Sequence, residues 1–452
     1  MSEIAGLHKV TAQGRRRGLF IKTYGCQMNV YDSQKLAHLL EDEYVQVPTA
    51  EEADLIIVNT CSVRAKPEQK VYSLLGELRK LKDRNPGLLI GVGGCVAQQE
   101  GEKIFKQNSA VDFVFGTHNL SSVPDLIAQR RRGAEPQMAL EWRSTWEQLP
   151  LGLKLDNSVS AFVSISRGCD KYCTYCIVPF TRGPELSRPA SEIENEIKLL
   201  LSKGVKEVVL LGQNVNSYGQ DFRPASSFED LLERLSAVEG LKRIRFTSPH
   251  PQEMNDRFVD LITTNPKICR HLHMPLQSGS DRILALMNRH YTRESFIQLA
   301  AALRERCPDM AITTDIIVGF PGERDFEFEE TLDLMDQVSF DAAYSFVYSP
   351  RPGTAAARLP EQVDEDLKMS RLRKLQAKQD QITAGRLAAW QGRVVEVLVE
   401  SGSRGDPNIL QGRSLQNIVV NLDREYAGLV PGMLVEVCIN GVGKHTLRGE
   451  LL

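Results

Sequence analysis

Cys169-Asp-Lys-Tyr-Cys173-Thr-Tyr-Cys176 brings three thiols into one eight-residue loop. Three thiolates at that spacing suit a [4Fe–4S] cube in which the protein grips three irons and leaves the fourth open. An open coordination position is what a catalytic metal centre requires. A zinc knuckle would need a fourth ligand close by, and no His or Cys lies within twenty residues on either side. Cys26, Cys61 and Cys95 form a second candidate trio. Taken singly, each reads as a buried core thiol. Taken together, they are separated by 35 and 34 residues, about one strand–helix unit each, so each falls at the same point of a repeating fold. Cys269, Cys307 and Cys438 lie in or beside apolar segments and read as structural. The odd total of nine cysteines argues against a disulfide framework and for a reducing compartment.

The elements that must position these thiols are legible as apolar runs. Leu19-Phe-Ile-Lys-Thr-Tyr-Gly-Cys26, Asp54-Leu-Ile-Ile-Val-Asn-Thr-Cys61 and Leu88-Leu-Ile-Gly-Val-Gly-Gly-Cys95 each read as a strand ending in a cysteine, with helical patterns at 29–43 and 67–83 between them. In an open parallel α/β sheet the C-terminal edge of the strands is where ligands bind. A fourth strand at 111–115 and a helix ending at Arg130-Arg-Arg132 complete a first domain, 18–133. Residues 134–157, with Trp142 and Trp146, lack a clear period and read as a linker. From 158 to 388 strands and helices alternate, with candidate strands at 158–166, 207–211, 243–247, 271–274, 312–318 and 342–348. Ser191, with Glu194 three residues on, predicts a capping box for the helix that stops before Gly204. Six such units predict a parallel sheet curled into a partial (βα)6 barrel with its active loops at the strands' C-terminal ends. A polar helix at 364–386 closes it. Residues 389–452 turn to short alternating strands at 392–400, 418–422, 433–438 and 446–450, a small β-barrel. The fold class is multidomain α/β, with an open parallel sheet, a partial barrel and a small closed β-barrel.

With 452 residues, 42% hydrophobic, 25% charged and a formal charge of −3, the composition excludes a disordered chain and offers no overall basic field for nucleic acid. Residues 1–18 are polar and lack the apolar core of a secretory signal. The longest apolar run, 88–97, is about half of a bilayer span. A monomeric cytoplasmic enzyme without membrane contact is expected.

The C-x-x-x-C-x-aromatic-C loop after a first barrel strand resembles the radical S-adenosylmethionine (SAM) superfamily. That resemblance implies SAM chelated to the open iron and cleaved by one electron to a 5′-deoxyadenosyl radical. Tyr175 then packs beside the adenine or is a plain core tyrosine. Leu211-Gly212-Gln213-Asn214 matches the methionine-binding turn, Gly319-Phe-Pro-Gly-Glu323 the adenosine-contacting loop, and Gln277 a further cofactor contact. Longer motifs resemble the methylthiotransferases, and among them the MiaB type. They are Tyr24-Gly-Cys-Gln-Met-Asn29, Asn59-Thr-Cys-Ser-Val-Arg64, Gly93-Gly-Cys-Val-Ala-Gln-Gln99, Phe115-Gly-Thr-His-Asn119, Leu211-Gly-Gln-Asn-Val-Asn-Ser-Tyr218, His271-Leu-His-Met-Pro-Leu-Gln-Ser-Gly279 and Asp315-Ile-Ile-Val-Gly-Phe-Pro-Gly322. The resemblance runs from about Leu19 to the C-terminus.

It implies a methylthiotransferase domain, a radical SAM core and a TRAM-like barrel that grips RNA. It also implies a second [4Fe–4S] cluster on Cys26, Cys61 and Cys95 that holds or surrenders sulfur, in a cavity shared with the first cluster. One SAM methylates that sulfur and another generates the radical, with an electron from a donor such as flavodoxin or ferredoxin. The implied product carries a methylthio group at carbon 2 of N(6)-dimethylallyladenosine at position 37 of tRNA. That base is in the anticodon loop, where unstacked bases can be splayed into a protein cavity. Branches acting on threonylcarbamoyl-adenosine or on a ribosomal-protein aspartate are the alternatives, and Gly25-Cys-Gln-Met-Asn29 and Gln277-Ser-Gly-Ser280 follow the tRNA branch. From another class, the chain would be a non-catalytic RNA-binding metal–thiolate protein.

Candidate phosphate contacts are Arg15–Arg17, Arg130–Arg132, Arg182 and Arg188, and in the last domain Arg393, Arg413, Lys444 and Arg448. Residues 390–452 hold six Lys and Arg against seven Asp and Glu, so that barrel is not basic as a whole. Pro184 and Leu186 stand where similar proteins usually carry arginines, which removes two positive charges beside the cluster loop.

Overall fold

The computed structural model describes the chain except for residues 1–15, 63–64, 148, 154, 156–157, 403–405 and 407, and the side chains of 65–70. Arg15, Val63 and Arg64 therefore lie outside the described residues. The chain divides into two compact units, Met1–Asp156 with Val178–Leu186, and Asn157–Ile177 with Ser187–Leu452.

In the first unit six parallel strands, β1 (Arg17–Thr23), β2 (Tyr44–Gln46), β3 (Leu55–Thr60), β4 (Leu89–Gly94), β5 (Phe113–Phe115) and β6 (Gln137–Ala139), lie in the order β2-β1-β3-β4-β5-β6. All six residues of β3 and of β4 are buried, as expected of parallel strands covered on both faces. Alternate residues serve two cores. Leu19, Leu55, Ile57 and Phe113 pack with Leu36 of α1 (Gln27–Leu39) and with Leu40 just after it. Ile56, Val58, Ile90 and Val92 pack with Val71, Leu75 and Leu78 of α2 (Ala65–Arg84). The helices α3 (Cys95–Glu100), α4 (Glu102–Gln107), α5 (Val123–Arg131) and α6 (Val178–Arg182) complete the unit. Two elements differ from expectation. The segment read as an aperiodic linker contributes β6, whose three residues pair with β5. The edge strand β2 follows α1 where the sequence suggested no strand.

In the second unit the strands Ser160–Ser164, Glu207–Leu211, Arg243–Phe246, His271–His273, Ala311–Val318 and Ala342–Val347 are parallel. They form two three-stranded halves bridged at Ile244 and Ile268, the partial barrel anticipated. The helix Ala190–Ser202 starts after Pro189 with no side-chain cap. The Ser191 box does not form, because Pro189 sets the helical start and Glu194 turns outward to Lys198 and Arg234. The closing helix runs Glu365–Ala388.

The last segment is a closed barrel of five strands, one more than expected, the addition being Leu410–Ser414. It is fastened to the partial-barrel strand Arg243–Phe246. Arg243 donates to the Arg413 carbonyl at 2.7 Å and to Glu396 at 2.8 Å, while Arg245 donates to the Ser414 carbonyl at 2.7 Å and pairs with Glu207 at 2.9 Å. Among the described residues no helix is long and apolar enough to cross a membrane.

Candidate functional site

β1, β3 and β4 are neighbours in register, Thr23 beside Asn59 and Thr60 beside Gly94. Cys61 and Cys95 are therefore the next residues out at adjacent strand ends, and Cys26 caps α1 just beyond β1. A polar net fixes these ends. Asn29 donates to Asn59 and to the Thr60 carbonyl, both at 3.0 Å. Asn59 donates to the Asn29 carbonyl and to Ser33, both at 2.9 Å, and Thr60 donates to the Gly93 carbonyl at 2.7 Å. Gly25, at φ +140°, leaves no room for a side chain, since a Cβ there would lie 2.3 Å from the Cys61 Cβ.

The three thiols meet. Cys61 donates hydrogen bonds to Cys26 and Cys95, which pushes its own pKa up and pulls theirs down, to about 6 and about 5. Arg182 lowers both further, and its guanidinium also donates to Cys95. Arg182 is 3% exposed and pairs with Asp32 at 3.3 Å. Burial raises the Asp32 carboxyl to about 6 against the pull of that guanidinium. The backbone around Arg182 is clamped: His118 Nε2 donates to its carbonyl at 2.8 Å and Thr117 to the Thr181 carbonyl at 2.9 Å, while Trp142 stands edge-on to His118 and against Gly183. The Phe115-Gly-Thr-His-Asn119 motif thus holds the 181–183 turn in place.

The second trio lies in the loop that follows the strand Ser160–Ser164. Gln213 accepts from the Gly168 amide at 2.6 Å. Asn288 donates to the carbonyls of Lys171 at 3.1 Å and Tyr172 at 3.2 Å, and Tyr172 itself sits at φ 47°. Thr174 donates to the Leu286 carbonyl at 2.8 Å, and the Cys176 amide donates to the Cys173 carbonyl at 2.9 Å. Arg289, buried and anchored on the Pro275 carbonyl at 2.9 Å, points Nη1 at the Cys173 sulfur, 3.5 Å away. The Tyr175 ring packs against the cluster of Ile283, Met287, Phe320, Tyr348 and Ala356. Asn214 is buried and donates to Glu253 at 2.7 Å, the carboxylate that also pairs with Lys171.

Gly212 closes on Ser166, leaving no space for a Cβ. Gln277, at φ 72°, bridges Asp315 and Ile317 through its backbone. Gly319, at φ +70°, donates its amide to Glu323 at 2.7 Å beneath Lys368.

Both donor sets fit thiolate ligation of an iron–sulfur cube: three thiols that meet at strand ends in the first, three thiols of one pinned loop in the second, each set faced by one buried guanidinium. Among the described residues no three His, Cys, Asp or Glu side chains close around a single metal ion. A cube asks less closeness, because each thiolate takes its own iron. Cys269 and Cys307 are buried, their thiols pushed up by burial to about 12 and about 11, and Cys438 is half-buried in the small barrel.

The expected phosphate contacts fare differently. Arg182 and Arg188, expected at the surface, are buried in the folded chain, 3% exposed each. Arg188 is spent on Glu196 and Glu192 inside the unit. Arg130 pairs with Asp112 at 2.8 Å, Arg131 with the Tyr44 hydroxyl at 3.0 Å, and Arg17 with Glu43 at 3.8 Å. Arg16 donates to the Glu41 carbonyl at 3.0 Å. Arg413 is held by Glu400 at 3.3 Å, and Lys444 pairs with Asp380 at 3.0 Å. Arg393, stacked 4.4 Å over Trp390, together with Arg132 and Arg448, remains on the surface. Sequence reasoning missed Asp32, His118 and Arg289, whose roles depend on partners far away in the chain. Pro184 is exposed and Leu186 half-buried.

A family profile described as "Radical SAM superfamily" matches residues 163–335, and one described as "Uncharacterized protein family UPF0004" matches residues 18–116. The chain is 48% identical over 439 residues to the tRNA-2-methylthio-N(6)-dimethylallyladenosine synthase of Geobacter metallireducens, covering 96% of this chain and 98% of that one. It is 44% identical over 441 residues to the protein of the same name from Syntrophus aciditrophicus, covering 97% and 95%. Among solved structures, the radical S-adenosylmethionine methyltransferase TsrM from Kitasatospora setae is similar in fold, with a TM-score of 0.57, 14% identity, and coverage of 76% of this chain and 74% of that one. At such identity over nearly the whole length, the chain belongs to the tRNA-2-methylthio-N(6)-dimethylallyladenosine synthase family, within the radical SAM superfamily.

Proposed function

We propose that this chain inserts a methylthio group at carbon 2 of N(6)-dimethylallyladenosine at position 37 of tRNA. The observation that carries the reading is the pair of thiol trios, each at the C-terminal ends of parallel strands, in a chain whose relatives bear that enzyme's name. When bound, a [4Fe–4S] cluster on Cys169, Cys173 and Cys176 with SAM supplies a carbon radical strong enough for an unactivated C–H bond, and a second cluster on Cys26, Cys61 and Cys95 supplies the sulfur.

The chain's own residues position and enclose. Gln213, Asn288 and Thr174 pin the loop backbone on both sides of Cys173, so the three sulfurs do not have to be ordered at the moment of binding. Gly212, Asn214, Gln277 and Gly319 stand at the strand ends as SAM contacts, and Tyr175 supports the loop from beneath. The target adenine is splayed out of the anticodon loop to reach the chemistry. In this reading residues 18–133 carry the sulfur-donating site, 158–388 the radical chemistry and 389–452 the RNA grip, with exposed Arg393 in contact with phosphate. The chain works as a cytoplasmic monomer that takes electrons from a donor such as flavodoxin or ferredoxin.

The test is anaerobic reconstitution with iron analysis, followed by mass spectrometry of tRNA nucleosides. About eight irons per chain and methylthio-adenosine in dimethylallyl-modified tRNA are expected. Zinc in place of iron, or an intact methylthio-adenosine pool in a deletion strain, would sink the reading.

A further inference from the structure

The sequence placed Arg182 among the phosphate contacts, yet the folded chain gives it no route to RNA. It is 3% exposed, donates to Cys95, acts electrostatically on Cys26 and Cys61 as well, and is fixed by Asp32 at 3.3 Å. Its backbone carbonyl is bound by His118 at 2.8 Å. A guanidinium stays charged at any accessible pH, and burying one is costly unless it meets opposite charge. Asp32 supplies one such charge, at 3.3 Å. The Cys95, Cys26 and Cys61 thiols lie beside the same guanidinium. Arg289 repeats the arrangement independently, with Nη1 3.5 Å from the Cys173 sulfur.

We propose that Arg182 is a positioning residue of the sulfur-donating site: its fixed charge and its hydrogen bond to Cys95 orient the Cys26–Cys61–Cys95 centre and set that centre's reduction potential. This rests on the two-cluster reading above. Charge close to a cluster and hydrogen bonds to its sulfurs are the levers by which a protein tunes such a potential. A cation beside the thiolates favours the more negative, reduced state, so removing it lowers the potential.

The experiment uses the full chain with Cys169, Cys173 and Cys176 all replaced by Ala, so that iron can be held only by the other trio. Failure of this protein to bind about four irons would overturn the two-cluster reading itself, whatever Arg182 does. With iron bound, Arg182→Gln is expected to shift the midpoint potential downward, and Arg182→Lys to stay close to the parent. An unchanged potential in Arg182→Gln overturns the proposal. If Arg182→Gln loses iron, Arg182→Lys decides: parent-like loading and potential support the role of the charge, and equal loss of iron from both variants overturns it. A second readout separates this role from the phosphate contact first expected. In the otherwise unaltered chain, Arg182→Gln should leave tRNA affinity and its salt dependence unchanged. A fall of about one in the log–log salt slope would return Arg182 to the RNA and overturn the proposal.

Discussion

Cys61 is the thiol on which the first trio turns, because it donates to both of the others. Cys61→Ala should spare reductive SAM cleavage, read as 5′-deoxyadenosine, while abolishing methylthio product and lowering iron by about half. Cys173→Ala should abolish SAM cleavage itself. Methylthio product from the Cys61 variant would remove the sulfur role from this trio. Gly25 tests the backbone beneath. A Cβ there would overlap that of Cys61, at a φ that side chains rarely adopt. Gly25→Ala should therefore cost about 1–3 kcal/mol, read as a lower thermal midpoint, together with poor iron loading. At this scale the six ligand candidates were legible because each cysteine ends an apolar run or belongs to one tight loop. Asp32 and Arg182 were not, since their partnership joins positions 150 residues apart, and a buried arginine looks in sequence like any solvated one.

Among the elements, the turn after the strand Arg243–Phe246 carries a titration. His250 Nδ1 accepts from the Gln252 amide at 3.3 Å, and burial, with help from Arg289 and Lys171, depresses the imidazole pKa from 6.5 to about 2. A histidine kept neutral in the fold binds its proton only on unfolding. Its contribution is thus complete above about pH 6.5 and shrinks as pH falls below that value, by about 1.4 kcal/mol per pH unit. Thermal midpoints should drop between pH 6.5 and 5, and His250→Asn should flatten that slope; an unaltered slope would show that the proton is taken up elsewhere. His271, depressed to about 3 chiefly by burial, adds in the same sense. Long, periodic or fully apolar elements were readable in the sequence. Tyr44–Gln46, Gln137–Ala139 and Leu410–Ser414 were not, because strands of three to five mixed residues owe their existence to a neighbouring strand.

At the scale of the molecule, the five-stranded barrel and the partial barrel share buried charge. Arg245 and Glu207 are both nearly inaccessible, and the same guanidinium reaches the carbonyls of Ser414 and Leu415. Arg245→Met should leave the Glu207 carboxylate buried without its cation and cost about 3–5 kcal/mol, seen by calorimetry as a lower midpoint for the whole second unit. Two separate transitions with the barrel unaffected would show that the two parts melt independently. The closed barrel after the partial one was legible in the alternation of the sequence. The attachment was not, because it uses Arg243 and Arg245, alternate residues of one strand that pattern alone would assign to solvent.

The nine residues Val178–Leu186 belong to the first unit although the chain has by then entered the second. On a ribosome adding about 5–20 residues per second, Arg182 emerges 87 residues behind Cys95, a lag on the order of ten seconds. Throughout that interval the first unit lacks the cation that sits against Cys95 in the folded chain. The order of synthesis thus separates the three thiols from the buried cation beside them.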